Sequence, residues 1–268
     1  MQKIKLLLKI LVSIFGGLYL IIIGLLYFNQ ESLFFHANKL EKNHHFTFSE
    51  NHQEITIKTP DNIHLHGLLF KTEKPKGLIF YLHGNAGTVE TWGSIASNYT
   101  NLGYDIFILD YRGFGKSEGE ISSEAQLFSD ISSSYNQLKK QYKEENIVIT
   151  GYSIGSGMAA YLASKNNPKS LILQAPYYCL EDLATDKFPI VPNFAIKYKI
   201  PTFEFIKKVK SPIYIFHGDI DYVIPYENSL KLKTNLKSND KLFSLENQGH
   251  LGINENDTFL FELKEILK

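Results

Sequence analysis

The stretch Gly151-Tyr152-Ser153-Ile154-Gly155 follows directly on Ile147-Val148-Ile149-Thr150, and these nine residues decide the fold. The β-branched run lacks polar alternation, so it predicts a parallel strand with helices on both faces. Residues 158–164, which include Ala159, Ala160, Leu162 and Ala163, predict a helix. Strand, sharp turn and helix are the setting in which a G-x-S-x-G pentapeptide exposes its serine. A serine at the tip of such a turn takes a backbone with positive φ, and the closing chain crowds the positions two before and two after it. Glycine at 151 and 155 removes that crowding, while Ser156 and Gly157 let the helix pack closely. The helix N-terminus then aims free N–H groups and the positive end of its dipole at the serine.

Outward from this centre, strands and helices alternate. Residues 55–57 and 63–69 alternate apolar with polar around Asp61-Asn62, which predicts a hairpin. Residues 78–82 and 106–109 are apolar strands, separated by a helix over 89–102 that Gly103 closes. Ser123 with Gln126 predicts a capping box for a helix carrying Leu127, Ile131, Tyr135 and Leu138. Residues 171–173, 213–216 and 242–245 supply three more strands, and Phe259, Leu260, Leu263 and Leu267 mark a last helix. This order predicts an α/β fold with a mostly parallel central sheet flanked by helices, and ligands at the carboxyl ends of its strands.

Polar motifs fall at those ends. His83-Gly84-Asn85-Ala86-Gly87 follows one strand and Asp110-Tyr111-Arg112-Gly113-Phe114-Gly115-Lys116-Ser117 the next. His217-Gly218-Asp219-Ile220-Asp221 and Gln248-Gly249-His250 follow two others. A serine hydroxyl becomes nucleophilic when a neutral imidazole accepts its proton and a carboxylate fixes the tautomer of that imidazole. Serine, aspartate and histidine occur in that chain order at one sheet edge, with Asp219 and Asp221 both available as the acid. His83, Asp110 and Arg112 read as residues that support their loops.

These motifs resemble the α/β-hydrolase superfamily across nearly all of residues 55–268. Within it the chain is similar to the single-pass membrane-anchored α/β-hydrolase-domain proteins, whose pattern residues 30–35 also match. The resemblance implies an α/β-hydrolase fold in which Ser153 is the nucleophile, Asp221 the acid and His250 the base. It further implies that the backbone N–H groups of Asn85 and Ile154 form an oxyanion hole. The implied activity is that of a serine hydrolase on an ester, thioester or amide, of the carboxylesterase, thioesterase or aminopeptidase kind. Two other readings use the same residues: acyl transfer to an alcohol or amine, and a catalytically silent binding module.

Residues 10–28 contain no charged side chain, and at ~1.5 Å per residue they reach ~28 Å, close to the ~30 Å core of a bilayer. Leu and Ile line every face, which predicts a membrane-spanning helix rather than a buried soluble one. Lys3, Lys5 and Lys9 precede the run and residues 29–38 carry no Lys or Arg, so the N-terminus is expected in the cytoplasm and the remainder on the exported side. A cleaved signal peptide is the rival, but Tyr27, Phe28, Asn29 and Gln30 offer no small-residue cleavage site. The expected organisation is an anchor over 1–29, a juxtamembrane segment over 30–52 and a hydrolase domain over 53–268.

Lys+Arg and Asp+Glu number 28 each, so no net positive charge argues for nucleic acid. The single cysteine, Cys179, excludes an intrachain disulfide. His44-His45 and His64-x-His66 lack the accompanying ligands of a metal site, and no phosphate-loop or dinucleotide fingerprint occurs, so neither metal nor cofactor is expected. Residues 177–209 combine Tyr177, Tyr178, Phe188, Phe194, Tyr198, Phe203 and Phe205 with three prolines, the composition of a lid. It either lines a pocket for an apolar acyl group or covers the sheet edge. The expected partners are thus a small-molecule or acylated substrate and the lipid bilayer.

Overall fold

The computed structural model describes residues 2–268. Two helices, α1 (Gln2–Phe28) and α2 (Gln30–Phe34), precede a hairpin of β1 (His52–Lys58) and β2 (His64–Phe70). There follow β3 (Gly77–Leu82), α3 (Val89–Trp92), α4 (Ala96–Thr100), β4 (Tyr104–Asp110) and α5 (Glu124–Leu138). The centre is β5 (Ile147–Tyr152), α6 (Ile154–Lys165) and β6 (Ser170–Gln174). After the helices α7 (Leu180–Lys187) and α8 (Thr202–Ile206) come β7 (Ile213–Gly218), α9 (Glu227–Lys233), β8 (Lys241–Leu245) and α10 (Asp257–Ile266).

The strands form one eight-stranded sheet in the order β1-β2-β4-β3-β5-β6-β7-β8. The β1/β2 and β2/β4 pairs are antiparallel, and every other pair is parallel. Side chains of a strand alternate between faces, so the sheet carries two cores. Phe80, Leu82, Ile149 and Leu173 face α5 and α6; Ile79, Tyr81, Val148 and Ile172 face α4 and α10. Both faces are covered, which is why β3 through β7 read as unbroken apolar runs. From β3 the chain turns outward to β4 and returns to β5 on the other side. The carboxyl ends of β3 and β5 therefore flank the switch point where such sheets bind ligands.

Three expectations are modified. The helix over 89–102 is broken by a 3-10 turn at Gly93–Ile95, where the Phe48 ring packs so closely that a Cβ on Gly93 would lie 2.3 Å from it. Glycine's low helix propensity makes this the weak point of the segment. Ser123 Oγ accepts the Gln126 N–H at 3.2 Å, but Gln126 Oε1 takes the Ser122 N–H rather than that of Ser123, one residue earlier than a capping box requires. Helix α6 starts at Ile154, four residues before the expected 158, because Gly155 and Gly157 are helical residues fitted against neighbouring chain.

Helix α1 is 27 residues long and apolar enough to cross a membrane. Its last turns touch the folded domain: Ile23 is buried against Ala184, Val191, Ala195 and Ile196, and the Tyr19 hydroxyl donates to the Ile190 carbonyl at 3.0 Å. Gln30, buried at the start of α2, donates from Nε2 to the Ala195 carbonyl at 2.6 Å and accepts the Lys197 N–H at 2.8 Å.

Candidate active site

Ser153 sits between β5 and α6 with φ 53° and ψ −120°, a strained conformation for a residue with a side chain. Its glycine neighbours are obligatory. A Cβ on Gly151 would lie 2.3 Å from the Gly155 carbonyl oxygen, and one on Gly155 would lie 2.1 Å from that of Leu82. The turn is fixed by the Ser153 N–H donating to Gln174 O at 2.9 Å and by Ser156 Oγ donating to Ser153 O at 2.6 Å.

The sheet register delivers the partners. Gly218 ends β7 so close to the loop after β8 that a Cβ there would lie 2.1 Å from Gln248 O. This presses the segments carrying Asp221 and His250 together. His250 Nε2 is 3.0 Å from Ser153 Oγ, and its Nδ1 is 2.7 Å from Asp221 Oδ2. The Tyr152 hydroxyl, next to the serine in sequence, donates to the His250 carbonyl and holds the imidazole's backbone over the turn. Asp219, the rival acid, is exposed and has no hydrogen bond to His250 among the described residues.

Asp221 is held from several sides. Its Oδ1 accepts the N–H groups of Val223 and Ile224, both at 2.8 Å, while His217 Nε2 lies 3.2 Å from Oδ2. Burial pushes the carboxyl pKa up, but the bonds from His217 and His250 and the charge of His250 outweigh it, leaving the group well below the ordinary carboxylate value. His217 is itself oriented, with Nε2 2.8 Å from Ile224 O and Nδ1 2.6 Å from Ser229 Oγ. A carbonyl only accepts, so Nε2 carries a proton. In the sequence His217 stands out only as the first residue of the His217-Gly218-x-x-Asp221 pattern, with no role of its own.

Asn85 and Ile154 line the same cavity as Ser153, from the loop after β3 and the first turn of α6. His83 is buried behind that loop, its Nδ1 donating to Gly84 O at 2.7 Å and its ring 4.4 Å from that of Tyr111. Arg112 pairs bidentately with Asp130 on α5 and Asp61 in the hairpin turn. Both have the supporting character expected of them. Cys179 is buried and donates to Lys199 O, and burial pushes its thiol pKa up, which suits packing rather than attack.

The cavity is about 200 Å³. Leu180, Leu183, Phe188 and Val191 from the segment between β6 and β7, and Val223 and Ile224 from the loop after β7, give it apolar walls. The insertion is divided in purpose, since Phe205 packs on Phe128 and Tyr161 and Phe203 stacks on Tyr178. Side chains between Tyr177 and Ile196 line the pocket, and Phe203 and Phe205 pack on the domain. The sequence hid a third wall: Leu26, Gln30, Leu33 and Phe34 from the end of α1 and from α2. Among the described residues no cluster of His, Cys, Asp and Glu could hold a metal ion.

A serine on a strained turn at the switch point of this sheet, with this strand order, defines the class of an α/β-hydrolase. Comparison with known proteins agrees, and the chain belongs to the α/β-hydrolase superfamily and is a hydrolase. A family model described as serine aminopeptidase, S33, matches residues 73–205. An uncharacterised protein of Acanthamoeba polyphaga mimivirus is 29% identical over 257 residues, covering 87% of this chain and 85% of that protein. Alpha/beta hydrolase domain-containing protein 17B of Homo sapiens is 29% identical over 198 residues, 72% of this chain and 66% of that protein. Among solved structures, an esterase of Pyrococcus furiosus superposes with a TM-score of 0.71 at 18% identity, covering 86% of this chain and 97% of that one.

Proposed function

We propose that this chain is a membrane-anchored serine hydrolase in which Ser153, His250 and Asp221 are the catalytic triad. The hydrogen-bond relay from Ser153 Oγ through His250 to Asp221, at 3.0 and 2.7 Å, carries the proposal. Ser153 Oγ attacks the carbonyl carbon of an ester, thioester or amide and gives its proton to His250 Nε2. The tetrahedral oxyanion accepts hydrogen bonds from the N–H groups of Asn85 and Ile154. On collapse the bond to the leaving atom breaks, and that atom takes the proton from His250. Water, deprotonated by His250, then attacks the acyl-enzyme and releases an acid and free Ser153.

The apolar cavity walls favour an apolar acyl group. Residues 1–29 act as the anchor, 30–52 as the juxtamembrane segment and 53–268 as the hydrolase domain. In this reading the N-terminus is cytoplasmic and the hydrolase domain exported, a topology supported by Lys3, Lys5 and Lys9 ahead of the apolar run. The test is fluorophosphonate labelling of the full chain together with p-nitrophenyl ester turnover. Ser153→Ala abolishes labelling and lowers turnover by roughly a million-fold. Persistence of either in that variant rules out Ser153 as the nucleophile.

A further inference from the structure

The position of the lid on α1 has a consequence for the bilayer. Tyr19 lies nine residues before Phe28, which ends the apolar run, or ~13 Å along the helix at ~1.5 Å per residue. That is close to one leaflet of a ~30 Å hydrocarbon core. Yet Tyr19 donates to Ile190 O, and Ile23 is buried against Val191 and Ala195. A helix that crosses the membrane through this stretch therefore carries the lid tip into the leaflet with it. The tip is made for that solvent: Phe188, Ile190 and Phe194 are 51%, 59% and 85% exposed, with Asp186 and Lys187 at its edge on α7. Its backbone is partly satisfied by α1, through the Tyr19 hydroxyl on Ile190 O, which lipid could not supply. Gln30 then clamps Ala195 and Lys197, and Glu31 pairs with Lys197 and accepts from the Tyr198 hydroxyl, so tip and helix move as one piece.

The cavity meets this junction. Leu26, Leu33 and Phe34 on the anchor side face Leu183, Phe188 and Val191 on the lid side, and the lining continues to Ser153. We propose that residues 188–194 are inserted in the leaflet beside α1, and that the substrate is an acyl ester already seated in that leaflet, whose chain reaches Ser153 between α1 and the lid. The second half rests on the serine hydrolase reading; the first does not. The anchor is on this view a wall of the pocket, and Leu26, Leu33 and Phe34 set which acyl chains fit.

Two experiments on the full chain in phosphatidylcholine vesicles test it. Trp92 is the only tryptophan, so Phe194→Trp adds a single reporter. Its added emission should be quenched by lipids brominated in the acyl chain and be protected from aqueous iodide; iodide quenching without bromolipid quenching overturns insertion. Ile190→Glu with Phe194→Glu alters the tip outside the cavity lining. It should lower turnover of vesicle-borne p-nitrophenyl palmitate by about tenfold or more. Turnover of p-nitrophenyl acetate in water and fluorophosphonate labelling should stay within about twofold of wild type. Undiminished palmitate turnover overturns entry from the leaflet. A wild-type chain that neither labels nor turns over acetate sinks the hydrolase reading and the entry route with it, while the quenching result still decides insertion.

Discussion

Asp221→Asn keeps the shape of the acid and should still cost about ten-thousand-fold in kcat, ~5.5 kcal/mol of transition-state stabilisation. The cause lies in which way the amide must point. Oδ1 accepts two N–H groups, from Val223 and Ile224, so an asparagine keeps its carbonyl oxygen there and turns its NH2 to the place of Oδ2. That NH2 then faces His250 Nδ1, which must accept instead of donate. The imidazole is left with its proton on Nε2, 3.0 Å from Ser153 Oγ, where it cannot take the serine proton. The reverse orientation would return an oxygen to His217 and His250 but set the NH2 against the N–H groups of Val223 and Ile224, two donor–donor clashes in place of the one with His217 Nε2, so the amide keeps the orientation that breaks the relay. The assay is p-nitrophenyl ester turnover alongside the rate of fluorophosphonate labelling, with Asp219→Asn as the control at the exposed rival. An Asp221→Asn enzyme within tenfold of wild type, or an Asp219→Asn enzyme as impaired as Asp221→Asn, would refute the assignment of the acid.

The Asp221 carboxyl is held below its ordinary value, so the stability it contributes is present above ~pH 3.9 and lost as pH falls through that value toward the depressed one. Acid titration of thermal stability should therefore show a steeper loss below about pH 4 in wild type than in Asp221→Asn; parallel curves would count against it. Gly155→Ala puts a Cβ 2.1 Å from Leu82 O and 2.7 Å from His83 O, both backbone atoms that cannot swing away. It should cost about 1–3 kcal/mol, seen as a fall in Tm, and slow labelling of Ser153 because the Asn85 loop is displaced. Gln30→Ala strips partners from the Ala195 carbonyl and the Lys197 N–H at about 1–3 kcal/mol per unpaired buried group. Limited proteolysis should then cut the lid faster while the core sheet stays protected; unchanged cleavage would show that the clamp does not hold the lid.

All eight strands are legible in the sequence, because a sheet covered on both faces requires unbroken apolar runs and the hairpin at its edge requires alternation. Ser153, His250 and Asp221 are legible as candidates because each follows a strand at the end where parallel sheets gather their loops. Between Asp219 and Asp221 the residues alone do not choose; the choice comes from the turn in which Asp221 captures two backbone N–H groups, a local geometry with no composition signal. The role of His217 was hidden because it depends on Ser229 and Ile224, whose positions follow from α9, a helix too short to show a period. The wall built by Leu26, Leu33 and Phe34 was hidden for a different reason. Apolar residues after a membrane-length run look like more of the same run, and it is long-range contacts, those of Gln30 with Ala195 and Lys197 and of Tyr19 with Ile190 among them, that set them against residues 183–196.

The central pairing of the sheet also bears on when during folding the serine becomes reactive. Leu82 lies opposite Gly151 across the β3/β5 pair, and the turn at Ser153 borrows its fixing bond from Gln174 on β6. Asn85 thus comes into range of Ser153 only after β3, β5 and β6 have found their register, and His250 only once β7 and β8 have joined that sheet, a slow, non-local step. A nascent or half-assembled chain holds an ordinary alcohol. On the proposed triad, recovery of probe labelling on refolding should accordingly lag the return of helical signal, so that the serine would report completed assembly.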